Sequence, residues 1–251
     1  MSAPGASVIL RTTGVSKSFG KFLALNNITA EFERGAITSI IGPNGAGKST
    51  YFNLLSGAFA PTRGKVEFEG RDVTHLPQHR FAHLGIAKSF QITNIFPQLS
   101  VRENVRVGLQ AFVSRYDIWR PRASLPGLIE QADGLLAMVG LQDRRERRAR
   151  DLAHGEQRAL EIGMALAANP RLLLLDEPTG GMSLEERRVT GELLQPIKAQ
   201  CSLVIVEHDL DFIRDICDRL TVLDQGRVLE SGTVPEIQAS KSVQEIYLRR
   251  A

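Results

Sequence analysis

A glycine-rich stretch that ends in a lysine and two hydroxyl residues has the residue types and spacing of a phosphate-binding loop. Its residues are Gly42, Pro43, Asn44, Gly45, Ala46, Gly47, Lys48, Ser49 and Thr50. Glycines let backbone N–H groups turn toward phosphate oxygens, where a side chain would block them. Lys48 can then reach the β- and γ-phosphates, and the Ser49 hydroxyl can ligate Mg²⁺. A chance glycine-rich turn is the alternative, but the apolar run before the loop and the helix-like run after it favour a nucleoside triphosphate site.

Two adjacent carboxylates, Asp176 and Glu177, follow a run of four leucines at residues 172–175. Such a run is typical of a strand buried on both faces, and open α/β sheets bind ligands at the carboxyl ends of their strands. We therefore predict that Asp176 holds Mg²⁺, and that Glu177 is the base or the orienting group for an attacking water. The alternative is that both acids only cap the next helix.

Two single residues and one turn could also contact a nucleotide. His208 follows an apolar run at residues 202–206 and is a candidate sensor of the γ-phosphate, although a single histidine more often makes a local hydrogen bond. Phe19 lies in a predicted polar loop, where it either packs locally or stacks on a base. A glycine turn at residues 152–157 precedes an apolar stripe of helical spacing. It is either an anion site at a helix N-terminus or a simple helix cap.

The composition excludes several classes of protein. Charged residues make up 24% and hydrophobic ones 43% of the 251 residues, which is typical of a soluble globular chain. The formal net charge of +3 is too small to indicate nucleic acid binding. Cys201 and Cys217 lack metal-binding spacing, so we expect reduced thiols in a cytosolic protein. The sequence shows no signal-peptide pattern and no apolar run near ~20 residues, so any membrane role is expected to be peripheral.

Hydrophobic periodicity predicts an α/β fold in which these residues end strands or begin helices. Strands are predicted at residues 7–15, 23–32, 36–41, 65–69, 86–91, 172–175 and 202–206, with a hairpin at 220–223 and 227–230. Helices are predicted from residue 51, over 101–112, over 128–139 and after residue 152. From about residue 92 helix formers dominate the sequence. We therefore expect a single domain, 1–251, with a helical sub-domain inserted at approximately 92–160.

The ordered set of motifs resembles that of the ATPase subunits of ABC transporters. Phe19 corresponds to the aromatic loop of that family, residues 42–50 to Walker A and Gln91 to the Q-loop. Residues 152–157 correspond to the signature, residues 172–177 to Walker B and His208 to the switch histidine. The resemblance extends from about Val8 to Leu248. Three stretches resemble one subfamily more narrowly, at residues 112–130, 152–158 and 176–183. They are similar to the ATPase subunits for branched-chain amino acids, or to those for hydrophobic amino acid, amide and urea uptake.

This resemblance implies a fold and an activity. The fold would be a P-loop NTPase core with a parallel sheet, an N-terminal antiparallel β part and the inserted helical sub-domain. The activity would be ATP hydrolysis that drives solute import in the presence of Mg²⁺, with Lys48, Gln91, Glu177 and His208 as the catalytic set. Gln91 would also contact Mg²⁺ or water and act as a hinge, and Phe19 would stack on adenine.

The resemblance also implies partners. ATP would lie between Walker A of one ATPase subunit and the signature of a second, in a homodimer or a heterodimer. The signature residues here are Ala153, His154, Gly155 and Glu156. Membrane-spanning permease subunits would bind the pair, which makes this chain a cytoplasmic protein, peripheral on the inner face of the cell membrane. A solute-binding protein would act indirectly, and no nucleic acid is expected.

Two stretches depart from the family pattern. Ala153 and His154 replace the usual serine and first glycine of the signature, and Ser183 stands where an aspartate is usual after Walker B. Similar substitutions occur in the branched-chain subfamily. They lead us to expect pairing with a related ATPase subunit that carries the full serine signature, and two sites of unequal speed.

Three apolar residues after Gln91 leave two interpretations open. Ile92, Ile95 and Phe96 form either a docking groove for a membrane subunit or part of the core under the insertion. Two alternatives to an importer also remain: an ABC ATPase of another system, such as lipopolysaccharide extraction, and a non-transport ABC ATPase. The lack of a second motif set and of a long heptad insertion disfavours the latter.

Overall fold

Ten strands form two sheets in the part of the chain that the computed structural model describes, which comprises residues 7–89, 95–113 and 126–248. The strands are β1 (Val8–Phe19), β2 (Phe22–Glu33), β3 (Ile37–Ile41), β4 (Arg63–Phe68), β5 (Arg71–Asp72), β6 (Ile86–Lys88), β7 (Leu172–Asp176), β8 (Ser202–Val206), β9 (Arg219–Asp224) and β10 (Arg227–Thr233). The helices are α1 (Lys48–Leu55), α2 (Gln78–Leu84), α3 (Val101–Val113), α4 (Pro126–Met138), α5 (His154–Leu166), α6 (Leu184–Ile197), α7 (Leu210–Ile216), α8 (Val234–Ala239) and α9 (Lys241–Leu248).

The main sheet has the strand order β10-β9-β3-β8-β7-β6. Strands β9, β3, β8, β7 and β6 are parallel, and β10 runs antiparallel to β9. Parallel neighbours need crossover connections, which are usually helical. Because the five strands run in the same direction, their carboxyl ends lie at one edge of the sheet, together with the residues that follow β3, β7 and β8.

The central strands are apolar on both faces because each face is covered. Leu172 and Leu174 contribute to the core shared with α1 and the second sheet, whereas Leu173 and Leu175 contribute to the core under the helices. Successive side chains of a strand point to opposite faces of its sheet. A strand of alternating polarity would place polar groups in one of these two cores.

The second sheet is antiparallel, in the order β2-β1-β4-β5, and covers one face of the main sheet together with α1. The hydroxyl groups of Tyr51 in α1 and Thr12 in β1 are 2.8 Å apart and hydrogen-bonded, and both residues are fully buried. This bond fixes the helix that follows the phosphate loop to the antiparallel sheet.

Helices α3, α4 and α5 pack together on the opposite face. Val105, Leu136 and Leu160, one from each helix, are fully buried in a core that also contains Leu173 of the main sheet. A helical sub-domain at approximately 92–160 stays a prediction. Within the described ranges, no helix combines the length and the apolar character needed to cross a bilayer.

The α/β class and both sheets agree with the sequence-based expectation, but several boundaries were wrong. Strand β1 continues to Phe19, where the sequence predicted a polar loop, because Lys17, Ser18 and Phe19 pair with β2 through backbone groups whatever their side-chain polarity. The strand predicted over residues 86–91 ends at Lys88. Helix α2 and strand β5 were not predicted, because both are short and largely exposed.

Candidate nucleotide site

The phosphate loop connects β3 to α1. Gly47 is the N-cap residue of α1 with a φ of 99°, a left-handed conformation that glycine adopts readily. A Cβ atom at this position would lie 2.9 Å from the side chain of Leu25. Lys48, Ser49 and Thr50 form the first turn of the helix. The free N–H groups and the positive dipole end of α1 therefore lie beside the loop, where they favour an anion.

The loop is held in shape by the turn between β9 and β10. The N–H group of Gly226 donates to the carbonyl oxygen of Ala46 at 3.0 Å, and the N–H group of Asn26 donates to that of Gly226 at 2.8 Å. At the other end of the loop, a Cβ atom on Gly42 would lie 2.1 Å from the carbonyl oxygen of Leu223. The loop is thus packed directly on β9, which leaves no room for a side chain at its first residue.

Lys48 folds back over its own loop. Its Nζ atom donates hydrogen bonds to the carbonyl oxygens of Gly42 at 2.7 Å and Pro43 at 3.0 Å. Partial burial lowers the pKa of Lys48, and attraction to Glu177 opposes this effect. Phosphate oxygens are stronger partners for an ammonium group than neutral carbonyls, so a bound triphosphate can take over these contacts.

Asp176 and the phosphate loop lie at the same level of the main sheet. Asp176 of β7 and Ile40 of β3 are both in register with Val206 of β8, one on each side of it. Neighbouring strands are spaced ~4.8 Å apart, so the backbones of Ile40 and Asp176 are about 10 Å apart. The loop begins two residues after Ile40, which places it and Asp176 at the ligand-binding edge of the sheet.

Carboxylates crowd this edge. Burial raises the pKa of Asp176, the charge of Lys88 opposes the rise, and the charges of Glu177 and Glu207 add to it. Burial also lowers the pKa of Lys88, whose Nζ donates to the Oδ1 atom of Asn53 at 2.7 Å. A divalent cation at Asp176 would relieve the repulsion between these carboxylates.

Glu177 has an unusual backbone conformation. Its φ of 44° lies in the left-handed region, which is costly for a residue with a side chain and recurs at functional sites. Its N–H group donates to the carbonyl oxygen of Val206 at 2.9 Å, and its own carbonyl oxygen accepts from the N–H group of Gly180 at 3.1 Å. Neither Asp176 nor Glu177 caps the next helix, because the N-cap residue of α6 is Ser183.

Arg158 supports the same loop from α5. Its buried guanidinium is paired with Glu161, at 2.6 Å between Nη1 and Oε2. Its Nη2 atom donates to the carbonyl oxygens of Asp176 at 2.7 Å and Glu177 at 3.3 Å. The helix that begins at the signature is therefore hydrogen-bonded to the backbone of the two predicted catalytic carboxylates.

His208 lies beside Glu177, and the buried carboxylate of Glu207, the residue that follows β8, also lies close to the His208 ring. The Nδ1 atom of His208 is 3.9 Å from Oε1 of Glu177 and 3.4 Å from Oε2 of Glu207. The side chain of His208 is 69% exposed, whereas that of Glu207 is fully buried. The imidazole ring is therefore open to a ligand on one side and bounded by carboxylates on the other.

The signature turn begins α5 without a hydroxyl cap. Ala153 is the N-cap residue, and its N–H group donates to the Oε2 atom of Glu156 at 3.0 Å. The Nε2 atom of His154 is 3.1 Å from the carbonyl oxygen of Gly180 in the same chain. The N–H group and the hydroxyl of Ser183 both donate to Glu186, as does the N–H group of Gly155, and these bonds lower the pKa of that carboxyl. The turn is thus connected to the loop that follows Asp176 and Glu177.

Phe19 lies at the end of β1 and is 44% exposed. Its ring packs edge-on against that of Phe59, with centroids 5.5 Å apart. The ammonium group of Lys17 lies 5.2 Å from the centroid of the Phe19 ring. The ring is therefore held by neighbours, and part of it remains accessible to a planar ligand.

The structure brings most of the predicted residues to one edge of the main sheet. Gln91 lies outside the described residues. Two residues that approach the site, Arg158 and Glu207, were given no role by the sequence analysis. Glu207 carried a usable signal, because it ends an apolar strand as Asp176 does. Arg158 carried none, since its contacts depend on how α5 packs against β7.

Known proteins resemble this chain over most of its length. The profile of the family described as ABC transporter matches residues 25–180. The high-affinity branched-chain amino acid transport ATP-binding protein LivG of Salmonella typhimurium is 34% identical, over 97% of this chain and 98% of its own length. BraF of Pseudomonas aeruginosa, which carries the same description, is 32% identical with the same coverage.

Solved structures show the same fold. The ADP conformation of an ATP-binding cassette of an ABC transporter matches with a TM-score of 0.86 at 31% identity, covering 96% of this chain and 99% of that one. A dimeric bacterial ABC transporter cassette matches with a TM-score of 0.75 at 27% identity, over 90% and 99% of the two chains. The predicted fold class and family resemblance are both confirmed.

Proposed function

The chain belongs to the ABC transporter family and is one of its ATPases, and from that premise we propose that it energises an importer of branched-chain or other hydrophobic amino acids. The observation that carries its catalytic part is the shared edge of the main sheet, where Lys48, Asp176, Glu177 and His208 converge. The solute class is supported by the descriptions of LivG and BraF, which align over nearly their full length.

ATP is proposed to bind with its phosphates in the loop of residues 42–50 and its adenine against Phe19. Ser49 and Asp176 would hold Mg²⁺, since both offer hard oxygen ligands and Asp176 lies half-buried among repelling carboxylates. The ion would neutralise charge on the β- and γ-phosphate oxygens. Gln91 is proposed as a further contact to the metal ion or the attacking water.

Glu177 is proposed to act on the attacking water. Its carboxylate, at the end of β7, is placed to orient a water molecule toward the γ-phosphate and to accept its proton. Lys48 would hold the β- and γ-phosphates, and His208 would donate a hydrogen bond to the γ-phosphate. Positioning and charge stabilisation together account for most of the catalysis in phosphoryl transfer.

The complete site is proposed to require a second ATPase subunit. Dimeric cassettes are known among the similar structures, and in such a pair the residues Ala153, His154, Gly155 and Glu156 would face the ATP of the partner. Because Ala153 lacks a hydroxyl, we propose a heterodimer with a subunit that carries the full serine signature. The site built on Lys48 and Glu177 of this chain would be the faster one.

The membrane partners would be permease subunits that bind the pair at the inner face of the membrane, so that this chain is a peripheral protein. A solute-binding protein would deliver the amino acid to the permease and act on this chain only indirectly. We further propose that α3 and α4 belong to a helical sub-domain at approximately 92–160, which carries the docking surface.

The chemical part of this proposal is tested with the purified protein and MgATP. Glu177→Gln should retain ATP binding, while hydrolysis falls by ~10²-fold or more, the usual scale for loss of a general base. Lys48→Ala should weaken ATP binding itself. Glu192→Gln, an exposed carboxylate in an ion pair on α6, is the matched control and should hydrolyse ATP normally. Hydrolysis at the wild-type rate by Glu177→Gln would remove Glu177 from the mechanism.

The transport part is tested in the source organism. Deletion of the gene should abolish high-affinity uptake of labelled leucine, isoleucine and valine. The wild-type gene should restore uptake, and the Glu177→Gln gene should not. Unchanged uptake of all three amino acids in the deletion strain would contradict the proposed solute class and would leave the ATPase result intact.

A further inference from the structure

Glu207 is a fully buried carboxylate at the end of an apolar strand. Its Oε1 atom accepts hydrogen bonds from the N–H group of Thr179, at 3.1 Å, and from the Thr179 hydroxyl. Its Oε2 atom accepts from the N–H group of His208 at 2.8 Å and lies 3.4 Å from Nδ1 of the same residue. Among the described residues, no lysine or arginine forms an ion pair with it.

Stability does not explain this carboxylate. The five residues of β8 before Glu207 are all buried, so the strand would continue naturally into another apolar residue. A buried carboxylate without a cationic partner is costly, because it loses its hydration and gains only hydrogen bonds in return. Buried groups of this kind that approach a reactive site are candidates for a role in that site.

The partners of Glu207 belong to two separate parts of the catalytic edge. Thr179 lies in the tight turn that follows Glu177, which is closed by the bond from Gly180 N–H to the Glu177 carbonyl oxygen. His208 carries the imidazole that lies 3.9 Å from the Glu177 carboxylate. One buried carboxylate thus connects the backbone of the turn to the backbone and ring of the histidine.

The same geometry fixes the imidazole ring. Its Nδ1 atom faces the carboxylates of Glu207 and Glu177. The opposite nitrogen, Nε2, is the ring atom that remains for a phosphate oxygen.

We propose that Glu207 is a positioning residue for ATP hydrolysis, which holds His208 and the turn after Glu177 in one fixed arrangement. The proposal rests on the proposed role of His208 at the γ-phosphate. Glu207 does not touch the nucleotide itself. It acts through His208 on one side and through Thr179 on the other, so that the imidazole of His208 and the carboxylate of Glu177 keep a fixed arrangement at the γ-phosphate.

The first variant is Glu207→Gln in the purified protein. Glutamine keeps the size of the side chain, and its carbonyl oxygen can still accept from Thr179, but its amide then presents a donor to the N–H group of His208. We expect kcat to fall ~10- to 100-fold, the usual effect of removing the carboxylate that orients a functional histidine. The Kd for ATP should change less than ~3-fold, because the phosphate loop is untouched.

The second measurement separates positioning from folding. In a His208→Ala background, Glu207→Gln should lower kcat by a smaller factor than in the wild type, since the part of its effect that passes through the ring is already lost. A purely structural role would lower stability, and would lower kcat by the same factor in both backgrounds. Thr179→Val removes the hydroxyl that donates to Glu207, and it should also lower kcat with an unchanged Kd for ATP. Thr221→Val, a buried strand threonine bonded to Ser231, is the matched control and should leave kcat unchanged.

The outcomes distinguish this inference from the proposed function. If His208→Ala lowers kcat but Glu207→Gln and Thr179→Val hydrolyse ATP at the wild-type rate, the positioning role is overturned and the ATPase proposal stands. If His208→Ala itself keeps the wild-type kcat, the assigned role of His208 fails and this inference fails with it. If Glu207→Gln does not fold, the kcat of Thr179→Val decides. A lower kcat with an unchanged Kd supports the positioning role, and a wild-type kcat overturns it.

Discussion

The Nη2 atom of Arg158 donates a hydrogen bond to the carbonyl oxygen of Asp176 at 2.7 Å, from a guanidinium that is buried and paired with Glu161. A helix that would contact the partner's nucleotide is thereby bonded to the strand that would contact this chain's own nucleotide. We predict that Arg158→Met lowers the free energy of unfolding by ~3–5 kcal/mol, because it breaks the buried ion pair with Glu161. Urea unfolding followed by circular dichroism measures this loss.

The double variant Arg158→Met/Glu161→Leu separates stability from activity. Replacing both partners of a buried ion pair by apolar residues is often nearly neutral, so we expect most of the stability to return. ATP hydrolysis should be below the wild-type rate in both the single and the double variant, because the carbonyl oxygens of Asp176 and Glu177 lack the Arg158 donor. A double variant with restored stability and full hydrolysis would show that Arg158 serves the core and does not position the carboxylates.

Phe19 provides a test of nucleotide base binding. If its ring stacks on adenine, Phe19→Ala should weaken ATP binding by ~1–3 kcal/mol, the range for stacking of a base on an aromatic side chain. Phe19→Tyr should be nearly neutral. Phe22→Ala is the matched control, because Phe22 is 67% exposed and lies opposite Phe19 on the neighbouring strand. Equal affinity of the Phe19→Ala variant and the wild type would assign the ring to packing against Phe59.

The backbone of the exposed residue Phe96 is held by two hydrogen bonds to one side chain. Its N–H group donates to Oδ1 of the buried Asn104 at 2.7 Å, and its carbonyl oxygen accepts from Nδ2 of the same residue at 3.1 Å. The ring is 47% exposed. Ile95 packs against the main core, so the predicted apolar cluster divides between core and surface, while Ile92 lies outside the described residues.

We predict that Phe96→Asp uncouples transport while the isolated subunit folds and binds ATP normally. The reason is that an exposed ring with a fixed backbone contributes little to folding, whereas a membrane subunit would need its apolar surface. Uptake assays and unfolding of the purified variant measure the two effects. Leu229→Asp, an exposed apolar position on β10 outside the helical sub-domain, should leave uptake unchanged. If Phe96→Asp unfolds or aggregates, Phe96 belongs to the core.

Much of the candidate site could be predicted from local sequence. Strand, glycine loop and helix follow one another over residues 36–55, and each element has its own signal in composition and spacing. The four leucines before Asp176 likewise identify a buried strand. Such segments carry their structural information within a few residues.

The supporting contacts could not be predicted in this way. Arg158 reaches Asp176 across eighteen residues, and Glu207 reaches Thr179 across twenty-eight. These distances in sequence are closed only when helices pack on the sheet, which no local pattern encodes. The extension of β1 to Phe19 has a similar cause, because pairing with β2 continues through polar residues.

The last prediction concerns the missing hydroxyl at Ala153. In the usual signature of the family this position offers a serine hydroxyl to the γ-phosphate of the partner's ATP, and a hydrogen bond to a charged group contributes ~1.5–3 kcal/mol. His154 does not supply a substitute here, since its Nε2 atom is 3.1 Å from the carbonyl oxygen of Gly180 in its own chain. The site completed by Ala153 should therefore be the slower of the two in the dimer.

Ala153→Ser tests this asymmetry, provided that its effect on the helix is measured separately. A hydroxyl at the N-cap of α5 should also stabilise the helix by ~1 kcal/mol, which thermal unfolding of the variant will show. Hydrolysis should rise when two copies of the variant are assayed together, because both sites then gain the signature hydroxyl. It should rise less with a partner that already carries the serine, since the faster site is unchanged. A gain in stability with unchanged hydrolysis in both settings would mean that the hydroxyl does not limit either site, and the proposed heterodimer would lose its physical basis.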